Sequence, residues 1–101
     1  MKMYILIKED VPLGNAIVAA AHASLAAYLK FQSSPEMQQW LSGPFYKVVC
    51  KVNASEFERA KADPDHVLLT ESSLGGAEVA LAFKPRAEWP KNFRYLRMYR
   101  E

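Results

Sequence analysis

The sequence MYILIKEDVPLGNAIVAAAHASLAAYLK, residues 3–30, joins a short apolar run to a long alanine-rich segment. Its first part, residues 3–8, is rich in strand-forming side chains and predicts a buried strand. Pro12 and Gly14 mark a loop, and Asn15 is placed to cap a helix over residues 16–31. Larger apolar residues recur there at helical spacing, and the alanines between them allow close approach to a sheet.

The rest of the chain alternates between the same two patterns. Pro35 and Gly43 bound a second helix, and Asn53 or Ser55 followed by acids begins a third. Long crossovers favour parallel pairing of the first three strands, whereas a five-residue connector favours a hairpin between the last two. We therefore expect one α/β domain over residues 1–101, a four-stranded mixed sheet with helices on both faces. The further strands are predicted at 45–52, 65–71 and 77–85.

Composition excludes several classes of protein. No apolar run approaches the roughly 18 residues that span a bilayer, so we expect no membrane association. The start, MKMYILIKED, lacks the pattern of a signal peptide, and one cysteine permits no disulfide within the chain, which predicts a cytoplasmic location. One cysteine and two histidines do not form a closed zinc site, so no metal or cofactor is expected. Cys50, inside an apolar run, is predicted to be a buried thiol.

Polar residues follow the first and third predicted strands. Parallel strands direct their carboxyl ends to one edge of the sheet, where open α/β folds usually bind ligands, and helix N-termini there favour anionic groups. Turn formation is the alternative for Asp10, and helix capping is the alternative for Asn15. The residues expected at this edge are Asp10, Gly14, Asn15, Glu71, Ser72 and Ser73.

His22 stands in the middle of the alanine-rich helix, about 10 Å along the axis from Asn15. An imidazole in that position is either a catalytic group or a histidine whose polar atoms are satisfied in a buried or half-buried site. The serines at 72 and 73 show no nucleophile-elbow pattern, so a serine hydrolase is not indicated.

Basic residues are concentrated at the end of the chain. Residues 84–101 carry six basic and two acidic side chains, whereas residues 1–83 carry seven basic and nine acidic ones. Such a segment is either an electrostatic footprint for phosphates or a solvated surface. Its aromatic residues either stack on unpaired bases or, as the helical spacing of Phe93, Leu96 and Tyr99 favours, pack into the core.

With these residues in view, the chain resembles the archaeal and eukaryotic type 2 family of peptidyl-tRNA hydrolases, most closely its short divergent branch. The resemblance is carried by the opening strand, by Lys8–Glu9–Asp10–Val11, by Gly14–Asn15 and by Ala21–His22–Ala23. It continues through WLSGPFYKVVCKV and the last two strands, and it covers nearly the whole chain.

The resemblance implies a metal-independent hydrolase that cleaves the ester between a peptide and the 3′ end of tRNA, on a mixed four-stranded sheet and often as a homodimer. Carried onto this chain, it nominates His22, Glu71 and Asn15 as catalytic, and Asp10, Gly14, Ser72 and Ser73 as substrate-binding. The cations assigned to nucleic acid are Lys8, Lys84, Arg86, Arg94 and Arg97.

The chain departs from the family pattern at several positions. The family lysine that follows the glycine is replaced by Asn15, the family glutamine falls at Ala19, and the family Asp-Ala-Gly reads Glu71–Ser72–Ser73. The threonines that follow have no counterpart. Two alternatives to an active hydrolase therefore stay open: a catalytically silent domain that binds tRNA or a protein, and a small-molecule or regulatory domain that reuses the fold.

Overall fold

The computed structural model describes residues 1–100, which form four strands, four α-helices and one short 3₁₀ helix. Every predicted strand and helix is present, with ends shifted by a few residues. The strands are β1 (Lys2–Lys8), β2 (Tyr46–Val52), β3 (His66–Glu71) and β4 (Ala77–Phe83), and the helices are α1 (Leu13–Phe31), α2 (Pro35–Leu41), α3 (Ala54–Ala60) and α4 (Lys91–Arg94).

The four strands form one mixed sheet in the order β2-β1-β4-β3. β1 and β2 are parallel, and β4 is antiparallel to both of its neighbours, β1 and β3. The predicted hairpin of β3 and β4 and the parallel pairing of β1 with β2 are thus confirmed, whereas the expected parallel pairing of β3 was wrong, because β3 pairs only with β4. β3 points in the same direction as β1 but is separated from it by β4, so the carboxyl ends of β1, β2 and β3 all lie at one edge.

Helices cover both faces of the sheet, as predicted. On one face, Met3, Ile5 and Ile7 of β1 pack against α1 and α2. On the other, Tyr4 and Leu6 pack against α3, α4 and the segment before α4. The alternation of side chains along a strand produces this division, and the central strands β1 and β4 are buried on both faces.

Helix α1 turns its alanines, rather than its larger side chains, toward the sheet. Ala16, Ala19, Ala23 and Ala27 are buried, because they recur at helical spacing and let the helix lie close to the strands. The larger apolar residues lie on the outside of the helix. Those with more than a third of their surface exposed are Leu13, Ile17, Val18, Leu25 and Leu29.

The start of α1 differs from the prediction. The helix begins at Leu13 with Pro12 at the N-cap position, and Asn15 lies within its first turn. The prediction that Asn15 caps this helix was wrong, because Pro12 already has the extended backbone that precedes a helix. The predicted starts of α2 and α3 are confirmed, with Ser34 capping α2 and Asn53 forming a capping box at α3.

The segment after α4 runs along the outer edge of β2. Met98 forms an antiparallel bridge with Cys50, the Tyr99 amide donates to the Val49 carbonyl at 2.8 Å, and the Lys51 amide donates to the Arg97 carbonyl at 3.0 Å. We call residues 97–100 the tail. It covers the carboxyl half of an otherwise open strand edge. Between residues 1 and 100, no helix combines the length and the hydropathy needed to cross a bilayer.

Candidate functional site

The candidate site lies at the edge of the sheet where β1 and β3 end. From β1 the chain passes through Glu9 and Asp10 into α1, and from β3 it passes through a short 3₁₀ helix, Ser72–Leu74. Gly75 and Gly76 have φ angles of 69° and 79°, a left-handed conformation that glycine adopts at little cost, and they turn the chain into β4. Because both connections leave the same edge, their polar side chains come together.

Asn15 and Ser73 form the direct link between the two connections. The Asn15 side-chain amide (Nδ2) donates to the Ser73 hydroxyl (Oγ) at 3.3 Å, although the two residues are 58 positions apart in sequence. Because Asn15 does not cap α1, its amide is available for this contact. No side chain caps the N-terminus of α1 either, so the first backbone amides of the helix face the same edge.

Glu71 is held beside Ser73. Its carboxylate (Oε2) accepts a hydrogen bond from the Ser73 backbone amide at 2.9 Å. Hydrogen bonds from the backbone and the hydroxyl of Ser73 lower the pKa of the Glu71 carboxyl, against a smaller opposing effect of desolvation. The carboxylate is therefore stabilised in its ionised form.

His22 is exposed on α1, two turns after Asn15. The alternative that it is a buried or half-buried histidine is excluded. Seven residues make nearly two full helical turns, so the imidazole lies on the same side of α1 as Asn15. We call this open group of side chains the polar cluster. Its members are Asn15, His22, Glu71 and Ser73.

The remaining predicted site residues lie around this cluster. Asp10 is exposed in the turn after β1, Gly14 is exposed in the first turn of α1, and Ser72 is exposed at the start of the 3₁₀ helix. Within residues 1–100, no group of three or more histidine, cysteine, aspartate or glutamate side chains is arranged to hold a metal ion.

The five predicted cations divide between the two ends of the sheet. Lys8 ends β1 with its ammonium 5.3 Å from the centre of the Phe57 ring, and Arg97 contacts the Glu9 carboxylate at 3.1 Å. Both lie at the edge that holds the polar cluster. These two cations and the polar cluster therefore share one edge of the sheet.

The other three cations lie at the opposite edge. Lys84 contacts Asp65 at 3.3 Å and Glu36 at 3.8 Å, and Arg86 contacts Asp63 at 3.0 Å. Arg94 lines a cavity of about 430 Å³ together with Lys2 and Trp89. The basic residues near the end of the chain do not share one surface, because the chain crosses the α3 face of the sheet between Arg86 and Arg97.

Two further cations at the sheet edge that holds the polar cluster were not identified from the sequence. Lys51, near the end of β2, and Arg100, in the tail, line one cavity of about 440 Å³ with Arg97. Lys51 was identifiable in principle, because β2 is parallel to β1 and its carboxyl end must reach the same edge. Arg100 was not, because its place depends on the tail pairing with β2.

The comparisons with known proteins agree with this architecture. The family model described as "Peptidyl-tRNA hydrolase PTH2" matches residues 1–74, nearly three quarters of the chain. The matched region includes β1, α1 and β3, and thus every residue of the polar cluster. No curated protein matches the chain.

Proposed function

The chain belongs to the peptidyl-tRNA hydrolase PTH2 family, and from that premise we propose that it hydrolyses the ester bond of peptidyl-tRNA or of a related aminoacyl-tRNA ester. The observation that carries the proposal is the convergence of Asn15, His22, Glu71 and Ser73 at one open edge of the sheet. We propose that this activity serves translation in the cytoplasm, where peptidyl-tRNA arises.

The reaction requires an activated water molecule and a donor for the oxygen that becomes negatively charged. The water oxygen attacks the ester carbonyl carbon while His22 takes its proton. The bond from that carbon to the ribose oxygen then breaks, and the leaving ribose oxygen takes the proton from His22. General base catalysis of this kind typically contributes roughly 10²–10⁴-fold. No step of this route uses a metal ion, so a chelator should leave the rate unchanged.

Glu71 is better suited to orient than to accept the proton. The Ser73 hydrogen bonds hold the pKa of the Glu71 carboxyl below its usual range, which makes it a weak base but a stable anion. A stable carboxylate can hold the imidazole and the attacking water by hydrogen bonds. We therefore assign the base to His22 and the positioning of the water and imidazole to Glu71.

Asn15 takes the place of the family lysine as a donor without charge. Its amide and the first backbone amides of α1 point to the same edge, where they can meet the negatively charged oxygen of the transition state. Asp10, Gly14, Ser72 and Ser73 surround this position and are proposed to contact the peptidyl-adenosine end of the substrate.

Hydrolysis of purified peptidyl-tRNA tests the proposal. We expect His22→Ala to lower kcat/KM by roughly 10²-fold or more and Glu71→Gln to lower it by at least about tenfold, with unchanged thermal unfolding. His66→Ala and Glu88→Gln are matched controls, because both residues lie at the opposite edge, His66 at the start of β3. Equal losses in the control variants, or no turnover by the wild-type protein, would overturn it.

A catalytically silent tRNA-binding domain is the second candidate. The observation in its favour is the loss of the positive charge at position 15 together with the loss of the family threonines. It predicts salt-dependent binding of tRNA, weakened by reversing the charge of Arg97, with no turnover at high protein concentration. Cleavage that is abolished by His22→Ala would exclude it.

We also infer that the protein forms a homodimer through the outer side of α1. The helix has no Asp, Glu, Lys or Arg between Leu13 and Leu29, and Leu25 lines a mostly apolar cavity of about 290 Å³ with Leu41, Phe45 and Lys47. Exposed apolar side chains such as Val18, Leu25 and Leu29 on one helix are typical of an interaction site. Lys47 supplies a single positive charge at this cavity, too little to hold a phosphate backbone, so the occupant that we infer is a second copy related by a twofold axis.

Sedimentation at micromolar concentration tests the dimer. We expect the wild-type protein to sediment as a dimer and Leu25→Glu to sediment as a monomer with the same thermal midpoint. Leu68→Glu, a matched change on the far edge strand β3, should remain dimeric. A monomeric wild-type protein would contradict the inference.

A further inference from the structure

A small apolar pocket lies on the side of α1 that faces β2, across the helix from the polar cluster. Its volume is about 210 Å³, and no polar atom lines it. It lies between the first turns of α1, the edge of β2 and the tail. The lining residues are Ile7, Ala16, Ile17, Ala20, Val49 and Tyr99.

The tail builds one wall of this pocket. The Tyr99 amide donates to the Val49 carbonyl at 2.8 Å, which fixes the Tyr99 ring against the α1 face of the sheet. Phe93 and Leu96, by contrast, pack on the opposite face. The predicted core stripe of Phe93, Leu96 and Tyr99 is therefore split, and Tyr99 is left half-buried beside an open pocket.

Cations lie near the Tyr99 wall of the pocket. The Lys51 ammonium lies 5.0 Å from the centre of the Tyr99 ring, and Lys51, Arg97 and Arg100 line a second cavity of about 440 Å³. Glu9 contacts Arg97, but Arg97 is exposed, so a phosphate can compete for it. An apolar slot with an aromatic wall and a basic rim is the arrangement that binds an unpaired base and its phosphate.

We propose that this pocket binds one unpaired nucleotide of the substrate, with the base against Tyr99 and Ile17 and the phosphate against Lys51 and Arg97. The inference rests on the proposed function, because it names the part of the tRNA that lies next to the ester-bearing nucleotide. The pocket and the polar cluster flank the first turns of α1 at one edge of the sheet. A strand held in the pocket therefore needs only to cross the helix start to present its ester to His22.

Binding of an RNA trinucleotide with 2-aminopurine at its centre tests the inference without hydrolysis, because the probe has no ester. Stacking on Tyr99 quenches the probe, so we expect quenching with the wild-type protein and with Tyr99→Phe. Tyr99→Leu should remove the quenching and weaken binding by about tenfold.

The rim is tested by a matched pair of arginines. Arg97→Gln should raise the Kd several-fold and reduce the slope of log K against log salt by about 0.7. Arg59→Gln makes the same charge change on the exposed side of α3, outside the lining of either cavity, and should leave both values unchanged. Equal effects of the two variants, or no quenching with the wild-type protein, would overturn the inference; both readouts stand even if Tyr99→Leu does not fold.

The outcomes separate this inference from the proposed function. Quenching that depends on Tyr99 and Arg97, in a protein that leaves peptidyl-tRNA intact, supports the pocket and overturns the hydrolase. Hydrolysis that depends on His22, in a protein that does not quench the probe, supports the hydrolase and overturns the pocket.

Discussion

The two ends of the sheet are built from similar residue types but differ in how far their side chains are engaged in contacts within the protein. At the end where β4 finishes, Lys84 and Arg86 contact acids, and Trp89 closes an aromatic cluster over β1. At the end where β1 and β3 finish, polar side chains are exposed around an uncapped helix start. The comparison indicates that one end is closed by internal contacts and that the other leaves polar groups exposed.

The largest expected effect is on stability, at the β4 end. Trp89→Ala removes an indole whose ring centre lies 4.6 Å from that of Tyr4 and 4.9 Å from that of Phe93, and whose N–H donates to the Lys2 carbonyl. We expect the free energy of unfolding in urea to fall by about 3–4 kcal/mol. The exposed Tyr95 is the control, and Tyr95→Ala should change it by less than about 0.5 kcal/mol. A loss below about 1 kcal/mol for Trp89→Ala would contradict the conclusion that contacts at the β4 end stabilise the fold.

The next effect is on catalysis, at the other end. Asn15→Leu keeps the volume but removes the amide donor, and we expect kcat/KM for peptidyl-tRNA to fall by roughly 10²-fold without a change in thermal midpoint. Asn15→Lys, which restores the family cation, should be at least as active as the wild-type protein. Asn92→Leu, on α4, is the matched control and should keep full activity. Wild-type rates in Asn15→Leu would remove Asn15 from the site.

A pH titration probes Cys50, midway along β2 between the two ends. Burial raises the pKa of the Cys50 thiol to about 11, so the unfolded chain ionises before the folded one. Stability from this group is present below the unfolded pKa and is lost as pH rises toward 11, by roughly 2 kcal/mol.

Tyr4 contributes in the same direction, because burial raises the pKa of its phenol. The difference between the wild-type protein and Cys50→Ala isolates the thiol. We expect the alkaline decline in the free energy of unfolding to be shallower in Cys50→Ala. Parallel pH profiles would contradict the expectation.

The smallest effect concerns the ion pairs of the β4 end. Arg86→Met breaks the contact with the half-buried Asp63, and we expect a loss of about 1 kcal/mol, with peptidyl-tRNA hydrolysis unchanged. Arg59→Met, on the exposed side of α3, controls for the loss of charge. Slower hydrolysis in Arg86→Met alone would mean that the two ends are not independent.

The sequence was sufficient to predict the convergence of Asn15 and Glu71, because chain direction alone decides where parallel strands end. It was also sufficient for the strands and for the starts of α2 and α3, which are local features. The order of the strands was not predictable, because it depends on which strand pairs with β1 after a crossover.

The orientation of α1 was harder to predict for a physical reason. A helix usually shows its solvent side by its charges, and this one has none between Leu13 and Leu29. Without charges, the larger apolar residues and the alanines offer two alternative buried sides. The sequence predicted that the alanines allow close approach to the sheet, but only the structure shows that the larger apolar residues lie on the outside of the helix.

The tail has a consequence for self-association. An uncovered strand edge is a template on which another chain can extend a sheet, and residues 97–100 shield the carboxyl half of β2 from such pairing. The same four residues carry Arg97 and Tyr99, two side chains of the proposed nucleotide pocket. A truncation there would therefore reopen a strand edge and remove the proposed contacts together.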